Sequence, residues 1–233
     1  MTLTMYERIG HEGRHPSPYS WRIRYALAHK GVEPEFRHVR FADVETIRAL
    51  SGQHFVPIIT DGDRVIHDSW NIACYLEDQF PEAPSLFPGG GRAVVRLVNH
   101  WADNTLGTAI RRLIAADFII CLDPGDRAYY RSSREAAFGC TLEEYCADRA
   151  RWLAEFAAIT APLERTLAEQ QPYIAGAAPG YADYIVFSMF QYARLGCPDE
   201  LLTGETALRR WRDGLVEQFG GLGDRYPAYP ALR

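Results

Sequence analysis

Phe55-Val56-Pro57-Ile58-Ile59-Thr60, then Asp61-Gly62-Asp63, then Arg64-Val65-Ile66-His67, runs directly into Asp68-Ser69-Trp70-Asn71-Ile72-Ala73-Cys74-Tyr75-Leu76. The apolar runs on either side of Asp-Gly-Asp predict two strands, Pro57 to Thr60 and Arg64 to His67, joined by a tight turn. Ser69 to Phe80 predicts a helix, with Ile72, Ala73, Leu76 and Phe80 on one face. Proline is tolerated at the first residue of a strand, and an X-Pro bond can be cis. A cis Val56-Pro57 bond would turn the Val56 N–H and C=O outward, where they can pair with a peptide ligand. Asp68 can hold a ligand ammonium, and Ser69 with the helix N-terminus a carboxylate. Helix capping by the same two residues is the alternative.

Upstream, Leu3 and Met5 mark a short strand and Ile9 to Pro16 a polar loop. Ser17 to Lys30 predicts a helix: Ser17 as N-cap, Pro18 at the first position, Ile23, Ala26 and Leu27 as the stripe, Gly31 as the stop. A strand, Phe36 to Val39, and a short helix, Asp43 to Leu50, complete a β-α-β-α-β-β-α order over residues 1–80. Residues 81–91 hold three prolines and three consecutive glycines, a linker. No strand signal follows in residues 92–233. Long helices are expected at Arg92 to Ala116 and Thr141 to Gln170, the second with Thr141 and Glu144 in capping-box spacing and a kink at Pro162. Two more are expected at Tyr181 to Leu195 and Glu205 to Phe219, while Asp123 to Gly139 carries turn signals. The expected architecture is a small α/β domain followed by an all-helical one.

The 233 residues carry 25 Lys plus Arg against 30 Asp plus Glu, a net charge of −5, which argues against nucleic acid as the main partner. The composition is that of a globular protein and excludes a coiled coil or collagen. Five cysteines without a C-x-x-C pair point to reduced thiols. Glu7, Arg8 and Glu12 stand where a signal peptide needs an apolar core, and no uncharged stretch is long enough to span a bilayer. A cytoplasmic protein without a membrane partner is expected.

His11-Glu12-Gly13-Arg14-His15 matches the H-E-x-x-H zinc pattern. That chemistry needs both histidines on one helical face, and Gly13 with Pro16 predicts a loop, so no metal is expected. Ser17-Pro18-Tyr19-Ser20-Trp21-Arg22 opens the first helix, whose unpaired N–H groups and dipole favour an anion. A hydroxyl held there can donate a hydrogen bond to a thiolate; simple N-capping by Ser17 is the alternative.

Taken together and in this order, these segments resemble the glutathione transferase family, which combines a thioredoxin-like N-terminal domain with an all-α C-terminal domain. The resemblance covers almost the whole chain. It implies that Ser17 stabilises the thiolate of glutathione, that Val56, Pro57, Asp68 and Ser69 hold the tripeptide, and that a small-molecule electrophile enters between the domains. Ser17-Pro18-Tyr19-Ser20-Trp21-Arg22, Ile66-His67-Asp68-Ser69-Trp70 and Ala182-Asp183-Tyr184 resemble more narrowly the serine-type bacterial β-etherases, which cleave aryl ethers with glutathione. The isomerases that add glutathione to a conjugated diketo acid, as in maleylacetoacetate isomerisation, share the Ser-Trp-Arg element. For that activity Arg111 or Arg112 would hold a substrate carboxylate. A glutathione-fold binding protein without turnover is the third reading.

Two departures stand out. Phe55 replaces the basic residue that holds the glycine carboxylate of glutathione in many relatives, leaving His54, Gln53 or Arg40 for that task. Gly180 replaces the usual Ser, Thr or Asn cap before Tyr181-Ala182-Asp183, where Asp183 is expected to be structural. Tyr19 is expected to face the cleft, and Trp101 and Asn104, three apart, can join it; a core role is the alternative for Trp101. An exposed helix surface after the linker fits a homodimer.

Overall fold

The computed structural model describes residues 3–88, 91–169 and 172–229. β1 (Thr4–Arg8) runs parallel to β2 (Glu35–Val39) and antiparallel to β3 (Ile58–Asp61), which pairs with β4 (Arg64–His67), giving the order β2-β1-β3-β4. Met5 lies opposite both Phe36 and Ile59, and Met5 and Ile59 are buried beneath α1 (Pro18–His29) and α3 (Ser69–Gln79). The other sheet face carries a smaller core in which Ile47 of α2 (Val44–Ser51) meets Val39, Val56 and Ile58. The alternation of side chains along a strand divides the two faces. This is the thioredoxin-like arrangement expected from the sequence, and Val56-Pro57 is cis.

The rest is helical: α4 (Gly91–Trp101), α5 (Gly107–Ile114), α6 (Pro124–Phe138), α7 (Leu142–Cys146), α8 (Arg149–Glu169), α9 (Tyr181–Gly196) and α10 (Ala207–Gly221). α9 is buried on almost every side and packs along α1, joining the domains. A helix apolar all round belongs in a core. None of the described helices is long and apolar enough to cross a membrane.

Three expectations are corrected. Asp123 to Gly139 is not a turn region but α6. Its Pro124 is the first helical residue and Gly139 the left-handed stop at φ 73°, the usual pairing of helix-end residues. Thr141 to Gln170 is two helices. The capping box forms, but α7 lasts five residues; the chain turns at Asp148, whose carboxylate accepts from the Arg151 N–H at 3.2 Å, and α8 continues through Pro162 to Glu169. Gln170 lies outside the described residues, as do residues 89–90 of the linker. Arg92 to Ala116 is divided by a π-helical turn, Ala102–Leu106.

Asp183 anchors this domain. Its buried carboxylate accepts from the N–H groups of Ile174 (2.8 Å), Ala175 (3.1 Å) and Gly180 (3.0 Å), and from the Trp211 indole (2.9 Å). Gly180 is explained by space: a Cβ there would lie 2.9 Å from Pro88 Cδ, 3.0 Å from Ala175 Cβ and 3.1 Å from the Leu86 carbonyl oxygen. Restoring a cap hydroxyl with Gly180→Ser is therefore expected to destabilise the protein, by about 1–2 kcal/mol, because overpacking outweighs the cap. Chemical denaturation checks this; a gain in midpoint refutes it.

After α10 the chain crosses back to the first domain. Tyr226 covers the Arg24 guanidinium (4.7 Å to the ring centre) and its hydroxyl accepts from Arg24 at 2.8 Å, while the Ala228 carbonyl accepts from Arg14 at 2.8 Å.

Candidate functional site

Ser17 precedes α1, and its Oγ accepts from the Ser20 N–H at 3.2 Å. Among the described residues no acceptor takes the Ser17 hydroxyl proton, which remains free for a ligand. Ser17 lines a cavity of about 370 Å³ with Tyr19, His54 and Val56. Its far wall comes from the helical domain: Phe118, Tyr130, Phe138 and Tyr192, with Arg111 of α5 and Arg134 of α6. α6 is held against the first domain by buried Asp126, which accepts from the N–H groups of Phe41 (3.1 Å) and Ala42 (3.2 Å).

A second cavity of about 500 Å³ adjoins the first and shares Tyr19, Phe55 and Val56 with it. It holds Gln53, Pro57, Asp68 and Ser69. Asp68 is a left-handed residue, φ 69° and ψ 126°, a conformation seldom adopted outside glycine and concentrated at functional sites. One carboxylate oxygen caps α3, accepting from the Trp70 (3.0 Å) and Asn71 (3.2 Å) N–H groups. Oδ2 takes part in neither bond and can meet a cation. The buried Ser69 starts α3, and its carbonyl accepts from the Tyr181 hydroxyl at 2.7 Å. Capping and ligand binding are thus compatible uses of this pair.

Gln53 uses its amide locally, donating to Ser51 (2.9 Å) and to the Phe55 carbonyl (2.8 Å). His54 is exposed at the first cavity. Arg40 lies 3.6 Å from Asp126 and lines neither cavity. Trp101 and Asn104 line neither cavity: Trp101 packs on the core and Asn104 is exposed, donating to the His100 carbonyl. Asp103 stands in the second cavity instead. The π turn inserts a residue and shifts the helix face, which α-periodicity does not foresee. Asp103 accepts from the buried Arg22 at 2.6 Å, and Arg22 also donates to Ser188 at 3.1 Å. Tyr19 stacks 4.7 Å from the Arg22 guanidinium. Burial, reinforced by Asp103, pushes the Tyr19 phenol up, so it stays protonated at neutral pH.

His11 lies in a three-residue 3-10 turn and His15 beyond it, so they share no helical face. His15 joins Glu7 and His38 instead, with ligand atoms within 4.8 Å of one another. Arg24 donates to the same Glu7 at 2.7 Å and supplies the positive charge this carboxylate faces. The His15 carbonyl accepts from Trp21 at 2.9 Å, so the cluster backs the loop that carries Ser17. Burial pulls the Glu7 carboxyl upward, but hydrogen bonds to His15, His38 and Arg24 outweigh it and hold it well below the carboxylate range. Burial lowers His15 despite Glu7. Both groups bind protons more readily unfolded, so their stabilisation is complete above pH 6.5 and lost as pH falls through 6.5 and then 4.5. Denaturation midpoints should stay level from about pH 8 to about pH 6.5, fall below that, and fall further below about pH 4.5; a flat profile across the whole range, or one rising toward acid, refutes this.

Residues 16–79 match the family described as glutathione S-transferase, N-terminal domain, and residues 93–225 match glutathione S-transferase, C-terminal domain. The chain is 39% identical over 74 residues to glutathione S-transferase 1 of Dianthus caryophyllus, covering 30% of this chain and 34% of that one. It is 33% identical over 101 residues to a zeta-class glutathione S-transferase of Euphorbia esula, covering 42% and 44%. It thus spans about a third to a half of the length of these curated relatives. A glutathione transferase of Phanerochaete chrysosporium superposes with a TM-score of 0.76 at 26% identity, covering 95% of this chain and 94% of that one. A glutathione S-transferase of Ceriporiopsis subvermispora, solved in complex with glutathione, has the same fold: TM-score 0.76 at 22% identity over 100% of both chains. With both domain families matched in order across this fold, the chain belongs to the glutathione S-transferase family.

Proposed function

We propose that the protein binds glutathione along the second cavity and activates its thiol at Ser17 for attack on an apolar or aromatic electrophile in the first. The continuity of the two cavities at Tyr19, Phe55 and Val56 carries this reading. A tripeptide whose γ-glutamyl ammonium meets Asp68 and whose carboxylate meets Ser69 and the α3 N-terminus extends past Val56 toward Ser17. A free thiol titrates near 8.5, so neutral glutathione is largely protonated. The Ser17 hydroxyl and the α1 N-terminus favour the thiolate. The serine type is favoured because Ser17 stands at the α1 N-terminus with its hydroxyl proton unused, whereas the Tyr19 ring is stacked 4.7 Å from the Arg22 guanidinium. Aryl-ether cleavage is the favoured reaction: the sulfur bonds to the carbon bearing the ether, the C–O bond breaks, and the aryloxide leaves with the electron pair and takes a proton from water. The aromatic wall of the first cavity supports such a substrate. The glycine carboxylate falls to His54, at the cavity, or to Gln53 beside it. Exposed Val94 and Leu97 on α4 support a homodimer, and five free cysteines support a cytoplasmic location.

Calorimetry with glutathione tests the binding half. Asp68→Asn keeps a capping oxygen and removes the charge. It should weaken binding by roughly tenfold or more, the worth of one charge-assisted hydrogen bond. Unchanged affinity removes Asp68 from the site, and no binding by the unmodified protein removes the reading.

A further inference from the structure

The first cavity is positively charged in a way its aromatic wall does not require. Arg111 and Arg134 both line it, Arg8 stands at its edge, and no Asp or Glu is among its lining residues. Three other buried or half-buried arginines meet carboxylates, Arg22 with Asp103, Arg112 with Glu155 and Arg212 with Glu200, while Arg127 donates to the carbonyls of Leu122 and Ile120 and Arg96 lies over the Trp70 ring, both outside this cavity. Arg111 and Arg134 have no carboxylate within 4.0 Å among the described residues. Arg111 donates to the Thr108 hydroxyl at 2.7 Å, and the Arg134 guanidinium lies 5.7 Å from the Tyr130 ring centre and 5.9 Å from that of Phe41. Arg8 differs, since its guanidinium is spent on the carbonyls of Arg40, Asp43 and His54. The phenols of Tyr19, Tyr130 and Tyr192 are all pushed up by burial and stay neutral, so they offer no compensating charge. A partly desolvated guanidinium without a counter-ion is costly, and its donors suit a carboxylate.

We infer that the electrophile is an aromatic acid, its ring held by the wall of the first cavity and its carboxylate by Arg111 and Arg134. This rests on the transferase reading for where the thiol stands. Arg111 and Arg134 come from the helical domain and Ser17 from the thioredoxin-like one, so the substrate spans the cleft. Its reactive carbon is turned to the sulfur and its anion to α5 and α6. Arg112 takes no part, being paired with Glu155 and stacked 4.2 Å from Trp152.

An unreactive pair of ligands tests the inference without turnover. In saturating glutathione, 2-naphthoate should bind roughly tenfold or more tightly than 2-naphthamide, as one or two charge-assisted hydrogen bonds require. Arg134→Gln and Arg111→Gln should each cut that preference several-fold, and Arg134→Lys, which keeps the charge, should retain part of it. Thermal melts confirm that each variant is folded. Failure of naphthoate to bind, equal binding of the two ligands, or a preference unchanged in both glutamine variants overturns the inference. A loss of glutathione affinity in Arg134→Gln with the preference intact also overturns it, by assigning the arginine to glutathione. Turnover of 4-chloro-3,5-dinitrobenzoate, an activated aryl chloride that carries a carboxylate, is measured separately. Naphthoate preference without conjugation leaves anion recognition standing and removes the transferase reading, and conjugation without preference does the reverse.

Discussion

Ser17→Ala should raise the apparent pKa of bound glutathione by roughly 1 to 2 pH units, because one hydrogen bond to a charged atom contributes about 1.5–3 kcal/mol. Conjugation at neutral pH should fall by roughly ten- to a hundredfold, while glutathione affinity changes less. Of the neighbouring hydroxyls, Ser20 is buried and lines neither cavity, while Tyr19 lines both and keeps its proton, so Tyr19→Phe is the companion variant. The same change removes the α1 cap, which costs about 1 kcal/mol of stability. The two effects separate by pH. Above the thiol's own pKa the nucleophile forms unaided and the rate of Ser17→Ala should approach that of the unmodified protein, whereas a loss of folded protein would depress the rate at every pH. Ultraviolet titration of the thiolate provides the direct measurement. If titration and rates are both unchanged, Ser17 is a helix cap and no more.

Asp183→Ala should be the most damaging single substitution in the helical domain, at about 4 kcal/mol, since each buried donor left without its acceptor costs about 1–3 kcal/mol and the terms are not additive. Four donors lose their partner at once: three N–H groups in the turn before α9 and the Trp211 indole of α10. No cavity residue is touched, so the folded fraction should keep its affinity for glutathione. Asp183→Asn, which retains one acceptor oxygen, should fall between. A midpoint shift in chemical denaturation worth less than about 1 kcal/mol would show that water satisfies these groups.

The N-terminal domain was legible because its signals are local. Ser17-Pro18 marks a helix start, Asp61-Gly62 a turn, and Asp68-Ser69 another helix start, and each needs only its neighbours in sequence. The residues proposed to hold glutathione stand at those ends: Ser17 lines the first cavity, Val56 both, and Pro57, Asp68 and Ser69 the second. The walls that the helical domain contributes to both cavities are built from helix faces, and a face depends on phase. The π turn displaces that face by one residue, so α-periodicity points to Trp101 and Asn104 where the second cavity has Asp103. Reading Pro124 and Gly139 as turn signals concealed α6, and Arg134 with it. His15 was weighed with its sequence neighbour His11, whereas its partners come from β1 and β2. A residue's tertiary partners leave no trace in local spacing.

Tyr226 and Ala228 reach back 202 and 214 residues to Arg24 and Arg14, on the segment that opens the first helix. Domains commonly fold in order as the ribosome releases them, the N-terminal one first. Here the outer side of α1 gains its aromatic cover and its last hydrogen bonds only when residues 226–228 have been translated. A nascent chain that has completed the four-stranded sheet is therefore expected to hold the loop bearing Ser17 from its inner side only, through Trp21 and the Glu7 cluster, without the outer fastening. On the role proposed for Ser17, thiol activation would then be among the last properties to emerge in biosynthesis, and a stalled or shortened translation product would bear a folded sheet beside a less firmly held Ser17.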